Sequence, residues 1–118
     1  FDMLHGQDET ILPCLAMGGA QGGIGGTTNY NGRCLTGILE AWAASDLDRA
    51  RELQNFAQDV INVICHYRGN IVAGKRIMKL IGLDLGKNRT PFQNMTDEEE
   101  ARMKAELEAI DFFNRCNK

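Results

Sequence analysis

Two adjacent carboxylates near the start of the chain, Asp8 and Glu9, are the side chains best placed to do chemistry. They follow residues 1–5, in which apolar and polar residues alternate as in a β-strand. Ligands of α/β proteins gather beyond the carboxyl ends of strands, where two carboxylates would accept hydrogen bonds from sugar hydroxyls. Acidic residues more commonly stabilise the amino-terminal end of a helix, so both interpretations stay open.

A second candidate site is the glycine-rich segment 18–26, which contains six of the 13 glycines. Glycine weakens a strand, so the cluster suggests that a ligand or another backbone approaches closely. Thr27, Thr28 and Asn29 supply polar groups just beyond it. The segment lacks the G-x-G-x-x-G and following helix of dinucleotide-binding proteins. A tight turn with a bulge explains the glycines equally well.

Two other motifs have simpler explanations. Residues 69–76 match the first seven positions of a phosphate-binding loop, but Arg76 stands where a Ser or Thr would bind Mg²⁺. We therefore interpret Lys75 as a surface residue of a helix, with nothing nearby to activate its amine. Cys65 and His66 are helix neighbours that point in different directions, so we predict a core cysteine and a surface histidine.

The elements that position these residues begin with a β–α–β unit. We predict a strand over 1–5, a helix over about 8–17 and a second strand over 20–25. Pro13 is compatible with that helix only in its first turn.

Most of the remaining chain is predicted to be helical. The predicted helices cover about 31–44, 47 to an end at Gly69, 73–81, and 97 onward, and segment 82–95 between the last two is predicted to be irregular. Thr96 and Glu99 form a capping box before the last helix. Apolar residues recur at helical spacing in the second and last helices: Leu53, Ala57, Val60, Ile61 and Ile64, and then Met103, Leu107, Ile110 and Phe113 or Asn114.

Composition excludes several classes of function. The chain has 118 residues, 43% of them hydrophobic and 25% charged, and lacks the ~20-residue apolar run of a membrane span. Its net charge of -3 argues against nucleic acid as a partner. The four cysteines have neither zinc-site spacing nor a disulfide framework, which favours reduced thiols in the cytoplasm and no bound metal.

The segments His5 to Glu9 and Met17 to Asn29 together resemble the C-terminal part of the N-acetylneuraminate lyases. These belong to the aldolase superfamily that also contains dihydrodipicolinate synthase. The similarity covers essentially the whole chain; the Asp-Glu pair and the Gly-Gly-Ile-Gly run are its specific part. Members are (β/α)₈ barrels. The resemblance therefore implies an α/β fold class, in which 1–45 form the last two βα units of a TIM barrel and 46–118 form a C-terminal helical extension.

The resemblance also implies an activity. The family cleaves N-acetylneuraminate (sialic acid) reversibly to pyruvate and N-acetylmannosamine through a lysine Schiff base, with no metal or organic cofactor. In the family, that lysine and the tyrosine that moves the proton lie on earlier strands. We therefore expect no catalytic residue in this chain, an inactive isolated chain, and a need for the remaining N-terminal part of the barrel. The family relationship further implies a cytoplasmic homotetramer.

The part of the family site that carries over binds substrate. Gly6 matches a position whose backbone carbonyl faces the substrate. Asp8 and Glu9 match carboxylates that accept hydrogen bonds from the hydroxyls of the glycerol tail. Gly25 matches the strand end beside the reactive centre.

Two positions depart from the family pattern. Gly26 stands where a serine commonly supplies a hydroxyl to the substrate, so we expect the backbone or Thr27 to substitute for it. Gln7 stands where an aromatic residue often occurs. Two alternatives therefore stay open. One is an aldolase for another 2-keto-3-deoxy sugar acid, and the other is a non-catalytic helical interaction module with a glycine-rich anion site.

Overall fold

Two short parallel strands open the chain in the computed structural model, which describes residues 2–117. Strand β1 (Leu4–His5) pairs with β2 (Gly22–Gly23), with Leu4 opposite Gly22 and His5 opposite Gly23. Backbone hydrogen bonds continue the ladder on both sides, because Gln21 N donates to Met3 O and Ile24 N donates to His5 O. The predicted β–α–β order is therefore confirmed.

Both strands are shorter than predicted. Regular pairing covers 4–5 and 22–23 instead of 1–5 and 20–25, and Phe1 lies outside the described residues. Within residues 2–117 each strand has only one neighbour, so one ladder alone defines its length. Leu4 is 60% exposed and Ile24 is 69% exposed. Large apolar side chains of the strand region thus remain uncovered.

The connection between the strands is helical but not one helix. Asp8–Thr10 forms a 3₁₀ turn, and helix α1 (Ile11–Ala16) follows it. This replaces the single predicted helix over 8–17, because Thr10 N bonds to Gln7 O in an i→i−3 pattern. Pro13 lies in the first turn of α1, as predicted.

Helices α2 (Thr28–Ala43) and α3 (Leu47–His66) form the predicted hairpin. Helix α2 begins before the predicted Asn31, and Asn31 itself departs from helical geometry with φ of -120°. Ser45 adopts a positive φ of 59° at the reversal, and the Asp46 side chain caps α3 by accepting from Arg49 N at 3.0 Å.

The predicted stripe of α3 faces the core. Its members Leu53, Ala57, Val60 and Ile64 are buried, and Ile61 is half-buried. The prediction of a core Cys65 is wrong: the side chain is exposed, because Val63 and Ile64 occupy the buried face one step earlier. His66 is exposed as predicted. The helix ends at His66, before Gly69, because Arg68 adopts the left-handed conformation.

The C-terminal region contains α4 (Gly69–Leu80), α5 (Asp97–Ala109) and α6 (Phe112–Arg115). Helix α4 starts at Gly69, earlier than the predicted 73. The capping box of Thr96 and Glu99 is confirmed at the start of α5. The predicted last helix is interrupted at Asp111, whose φ is 59°. The break buries Phe112 and leaves Phe113 half-buried.

One hydrophobic core joins these helices. Its largest fully buried side chains include Tyr30, Ile38, Val60, Ile77, Met103, Leu107 and Phe112, contributed by five helices. The core packs beside the two strands, while Gly6 and Gly26, beyond their carboxyl ends, remain exposed. Within residues 2–117, no helix has the length and apolarity needed to cross a membrane.

Candidate functional site

The carboxyl ends of β1 and β2 meet at one edge, because the strands are parallel neighbours. Asp8 follows β1 and Gly25 follows β2, and the two residues are in direct contact. A Cβ atom on Gly25 would lie 1.8 Å from Asp8 Oδ1. The position therefore requires glycine, which gives a structural reason for part of the glycine cluster.

Asp8 is buried, with 4% of its surface exposed, and it holds the turn after β2. Its Oδ2 accepts a hydrogen bond from Thr27 N at 3.0 Å and a second from the Thr27 hydroxyl. Gln54 Nε2 donates to the backbone carbonyl of Asp8 at 3.1 Å. The carboxylate thus lies at the amino-terminal end of α2, where the helix dipole favours a negative charge. Among residues 2–117, Oδ1 has no hydrogen-bond donor.

Glu9 differs from its neighbour. It is half-exposed, and it makes no hydrogen bond within the described part of the chain. Gly6 is exposed at the same edge. His5 Nε2 lies 2.8 Å from Thr10 Oγ1, so this histidine is a satisfied structural residue. The site therefore offers one buried and one accessible carboxylate beside an exposed segment of backbone.

Helix α4 brings Asn70 to the same edge. A Cβ atom on Gly26 would lie 2.0 Å from Asn70 Nδ2, so the amide occupies the space that a side chain at 26 would need. The Tyr30 hydroxyl donates to Asn70 Oδ1 at 2.6 Å. Sequence reasoning missed Asn70 and Tyr30 as site residues. The departure of Gly26 from the family pattern drew attention to this part of the site, but it did not identify Asn70 or Tyr30.

Tyr30 keeps its proton at the site. Burial, and secondarily the negative charge of Asp8, raise the pKa of the Tyr30 hydroxyl well above its usual value. The hydroxyl therefore remains a donor near neutral pH. This fixes the acceptor oxygen of the Asn70 amide toward Tyr30 and its NH₂ group toward Gly26.

A cavity of about 470 Å³ lies beside these residues. Gly26, Tyr30, Asn70, Gly74 and Lys75 contribute to its lining. The Lys75 amine donates to the carbonyls of Leu85 at 3.4 Å and Lys87 at 3.2 Å. It therefore anchors the irregular segment after α4.

Helix α4 covers residues 69–76, so this segment is helical throughout. In the part of the chain that the structure describes, no three His, Cys, Asp or Glu side chains are grouped as metal ligands. The polar groups at this edge are instead carboxylates, amides and a phenol, which suit hydrogen bonding to a hydroxylated ligand.

Comparisons with known proteins agree with this geometry. The profile of the Dihydrodipicolinate synthetase family matches residues 1–110. N-acetylneuraminate lyase from Mus musculus is 36% identical over 115 residues, which cover 97% of this chain and 36% of the relative. The solved structure of Proteus mirabilis N-acetylneuraminate lyase has a TM-score of 0.86 at 31% identity and covers 95% of this chain and 37% of that one.

A 2-keto-3-deoxygluconate aldolase from Sulfolobus is also similar, with a TM-score of 0.80 at 26% identity over 90% of this chain and 36% of that one. The resemblance to N-acetylneuraminate lyases predicted from sequence is confirmed by these relatives. The predicted fold class is confirmed in its coarser form, since the helices and the small parallel sheet fit part of a barrel. The chain spans little more than a third of the length of these relatives.

Proposed function

The chain belongs to the dihydrodipicolinate synthetase family, and on that basis we propose that it is the C-terminal portion of a barrel aldolase that cleaves N-acetylneuraminate to pyruvate and N-acetylmannosamine. One observation carries the proposal. The Asp8-Glu9 pair and the Gly-Gly-Ile-Gly run that ends at Gly25, which the resemblance connects with sialic acid lyases, meet at one strand edge, where Asp8 packs against Gly25. The similarity to proteins named N-acetylneuraminate lyase supports the choice of substrate.

In this proposal the chain contributes the sugar-binding side of the site. The Gly6 carbonyl and the accessible Glu9 carboxylate accept hydrogen bonds from substrate hydroxyls. Asp8 has two roles: Oδ2 holds Thr27, and Oδ1 is left to accept from the substrate. Gly25 and Gly26 leave room for the Asp8 carboxylate and the Asn70 amide at the edge where the sugar acid binds.

The residues that react with the substrate carbonyl lie outside this chain. The Schiff-base lysine and the proton-transferring tyrosine belong to earlier strands of the complete barrel. The Schiff-base reaction needs no metal or organic cofactor. Lys75 is not a substitute, because two backbone carbonyls engage its amine. The chain by itself is therefore inactive.

In this proposal the remaining N-terminal part of the barrel supplies the strands that pair with the free edges of β1 and β2. Met3, Leu4 and Ile24 are large apolar side chains exposed beside the two strands, and neighbouring strands would cover them. By the same family relationship the complete enzyme is a cytoplasmic homotetramer.

The test uses the complete polypeptide that contains this chain. Release of pyruvate from N-acetylneuraminate is measured with a coupled dehydrogenase, and the Glu9→Ala variant is expected to raise KM without a matching loss of stability. Trapping with pyruvate and borohydride should label a lysine upstream of this chain. Failure to cleave N-acetylneuraminate would contradict the substrate, and an adduct on Lys75 would contradict the assignment of the lysine.

A second candidate is cleavage of another 2-keto-3-deoxy sugar acid. The similarity to a protein named 2-keto-3-deoxygluconate aldolase favours it, as does Gly26. Assaying both substrates in parallel separates the two. If Glu9→Ala changes neither KM while 2-keto-3-deoxygluconate is cleaved faster, the second candidate is correct.

A further inference from the structure

The hydrogen-bonding capacity of the Asn70 amide is only half used. Oδ1 accepts from the Tyr30 hydroxyl at 2.6 Å. Nδ2 faces Gly26 and, within residues 2–117, donates to no acceptor. Asn70 is half-buried and lines the 470 Å³ cavity. An amide NH₂ in this position is a donor available to a ligand.

The amide is held in one orientation by its surroundings. A Cβ atom at Gly26 would lie 2.0 Å from Nδ2, and one at Gly74 would lie 2.8 Å from Oδ1. Two glycines therefore make room for Asn70, and Tyr30 fixes its rotation. A donor fixed before binding loses little conformational entropy when the ligand arrives.

Two other side-chain donors near Gly26 are already engaged. The Thr27 hydroxyl donates to Asp8, and Asn29 Nδ2 donates to the carbonyl of Gly26 at 3.0 Å. Thr27 is therefore a poor replacement for the serine hydroxyl that is missing at 26. Of the three side chains, Asn70 is the one whose donor has no acceptor within the described residues.

We propose that Asn70 is a specificity-determining residue whose Nδ2–H group donates to a hydroxyl oxygen of the sugar-acid substrate beside Gly26. This assignment rests on the proposed function, since it names the group that binds one hydroxyl of the same substrate class. It also explains why serine is absent at 26. The hydroxyl donor and the amide donor would occupy the same space, so the site holds one or the other.

The first experiment replaces the donor and keeps the shape. Asn70→Asp retains an acceptor for the Tyr30 hydroxyl but removes the NH₂ group. In the complete polypeptide we expect KM for the preferred 2-keto-3-deoxy sugar acid to rise about tenfold or more, with a smaller change in kcat. Asn62→Asp is the matched control, because Asn62 is exposed on α3 and does not line this cavity. Its KM should equal that of the wild type.

The second experiment tests the shared space. Gly26→Ser alone places its side chain against the Asn70 amide, so kcat/KM should fall. Gly26→Ser combined with Asn70→Ala provides room for the serine and a new donor, so the double variant should recover most of the loss. Because steric relief alone could restore folding, melting temperatures are measured together with KM for N-acetylneuraminate and 2-keto-3-deoxygluconate.

The outcomes separate the two levels of the proposal. Cleavage of a 2-keto-3-deoxy sugar acid with an unchanged KM in Asn70→Asp would overturn the assignment of Asn70 and leave the proposed function intact. A double variant no better than Gly26→Ser, although folded, would also overturn it. A wild-type protein that cleaves no such substrate would overturn the proposed function and the assignment with it. If Gly26→Ser fails to fold, the Asn70→Asp result decides.

Discussion

Replacing Asp8 by alanine should destabilise the protein even when no substrate is present. The carboxylate is buried and accepts two hydrogen bonds from Thr27, one from the backbone and one from the hydroxyl. Its removal leaves two buried donors without an acceptor, at about 1–3 kcal/mol each. The Thr27 hydroxyl can rotate toward another acceptor, so we expect a total loss of about 3 kcal/mol in the free energy of unfolding.

The assay is urea denaturation of the complete polypeptide without substrate, at one protein concentration. Glu9→Ala is the matched control, because its half-exposed carboxylate makes no hydrogen bond in the described part of the chain. The control should stay within about 0.5 kcal/mol of the wild type. Asp8→Asn keeps an acceptor oxygen but loses the charge, and should cost about 1 kcal/mol. Both alanine variants should raise KM for the sugar acid.

A double-mutant cycle identifies the partner. Asp8→Ala and Thr27→Ala together should cost less than the sum of the single variants, by more than about 0.5 kcal/mol, because both remove the same interaction. An Asp8→Ala protein as stable as the wild type would contradict the stabilising role of this buried carboxylate. Strict additivity of the two changes would refute the contact with Thr27.

Two further predictions concern the helices. Burial raises the pKa of the Cys34 thiol to about 11, whereas Cys65 is exposed. Iodoacetamide at pH 8 should therefore alkylate Cys65 and leave Cys34 unmodified, as detected by mass spectrometry. Equal labelling of the two cysteines would contradict the burial of Cys34. The hydrogen bond from Arg68 lowers the pKa of Glu99 from 4.5 to about 2, so its charge stabilises the fold above pH 4.5 and this contribution is lost as the pH falls toward 2. In the Glu99→Gln variant, glutamine retains the capping hydrogen bond from Thr96 N. The difference in the free energy of unfolding between wild type and this variant, measured by urea denaturation, should therefore shrink as the pH falls from 4.5 toward 2. A constant difference would contradict the ion pair with Arg68.

Much of the fold was predictable because its signals are local. The hairpin of α2 and α3, the buried stripe of α3 and the capping box at Thr96 depend on residues within a few positions of one another. The errors occurred where a local pattern does not specify geometry. Cys65 lies one residue beyond the apolar face of α3 and is exposed. Asp111 interrupts the last helix with a positive φ that no residue pattern around it predicts.

The candidate site was predictable only in part. The resemblance identified Gly6, Asp8, Glu9, Gly25 and Gly26, and their roles toward substrate stay predictions. The competing interpretation of Asp8 as a residue that stabilises its own helix was incomplete, because the carboxylate binds Thr27 at the start of α2 instead. No rule of spacing relates residue 8 to residue 27, since the pairing of β1 and β2 brings them together.

The family, the order of the elements and the residue types at the strand ends can be predicted from the sequence, because motifs and hydrophobic periodicity depend only on the order of residues. How those residues are used depends on the tertiary structure. It committed Asp8 Oδ2 to Thr27, left Glu9 accessible, and set the Asn70 amide over Gly26 with Tyr30 as its anchor. Residues that are distant in sequence meet only when strands pair and helices pack, and hydrogen-bond partners are chosen at those contacts.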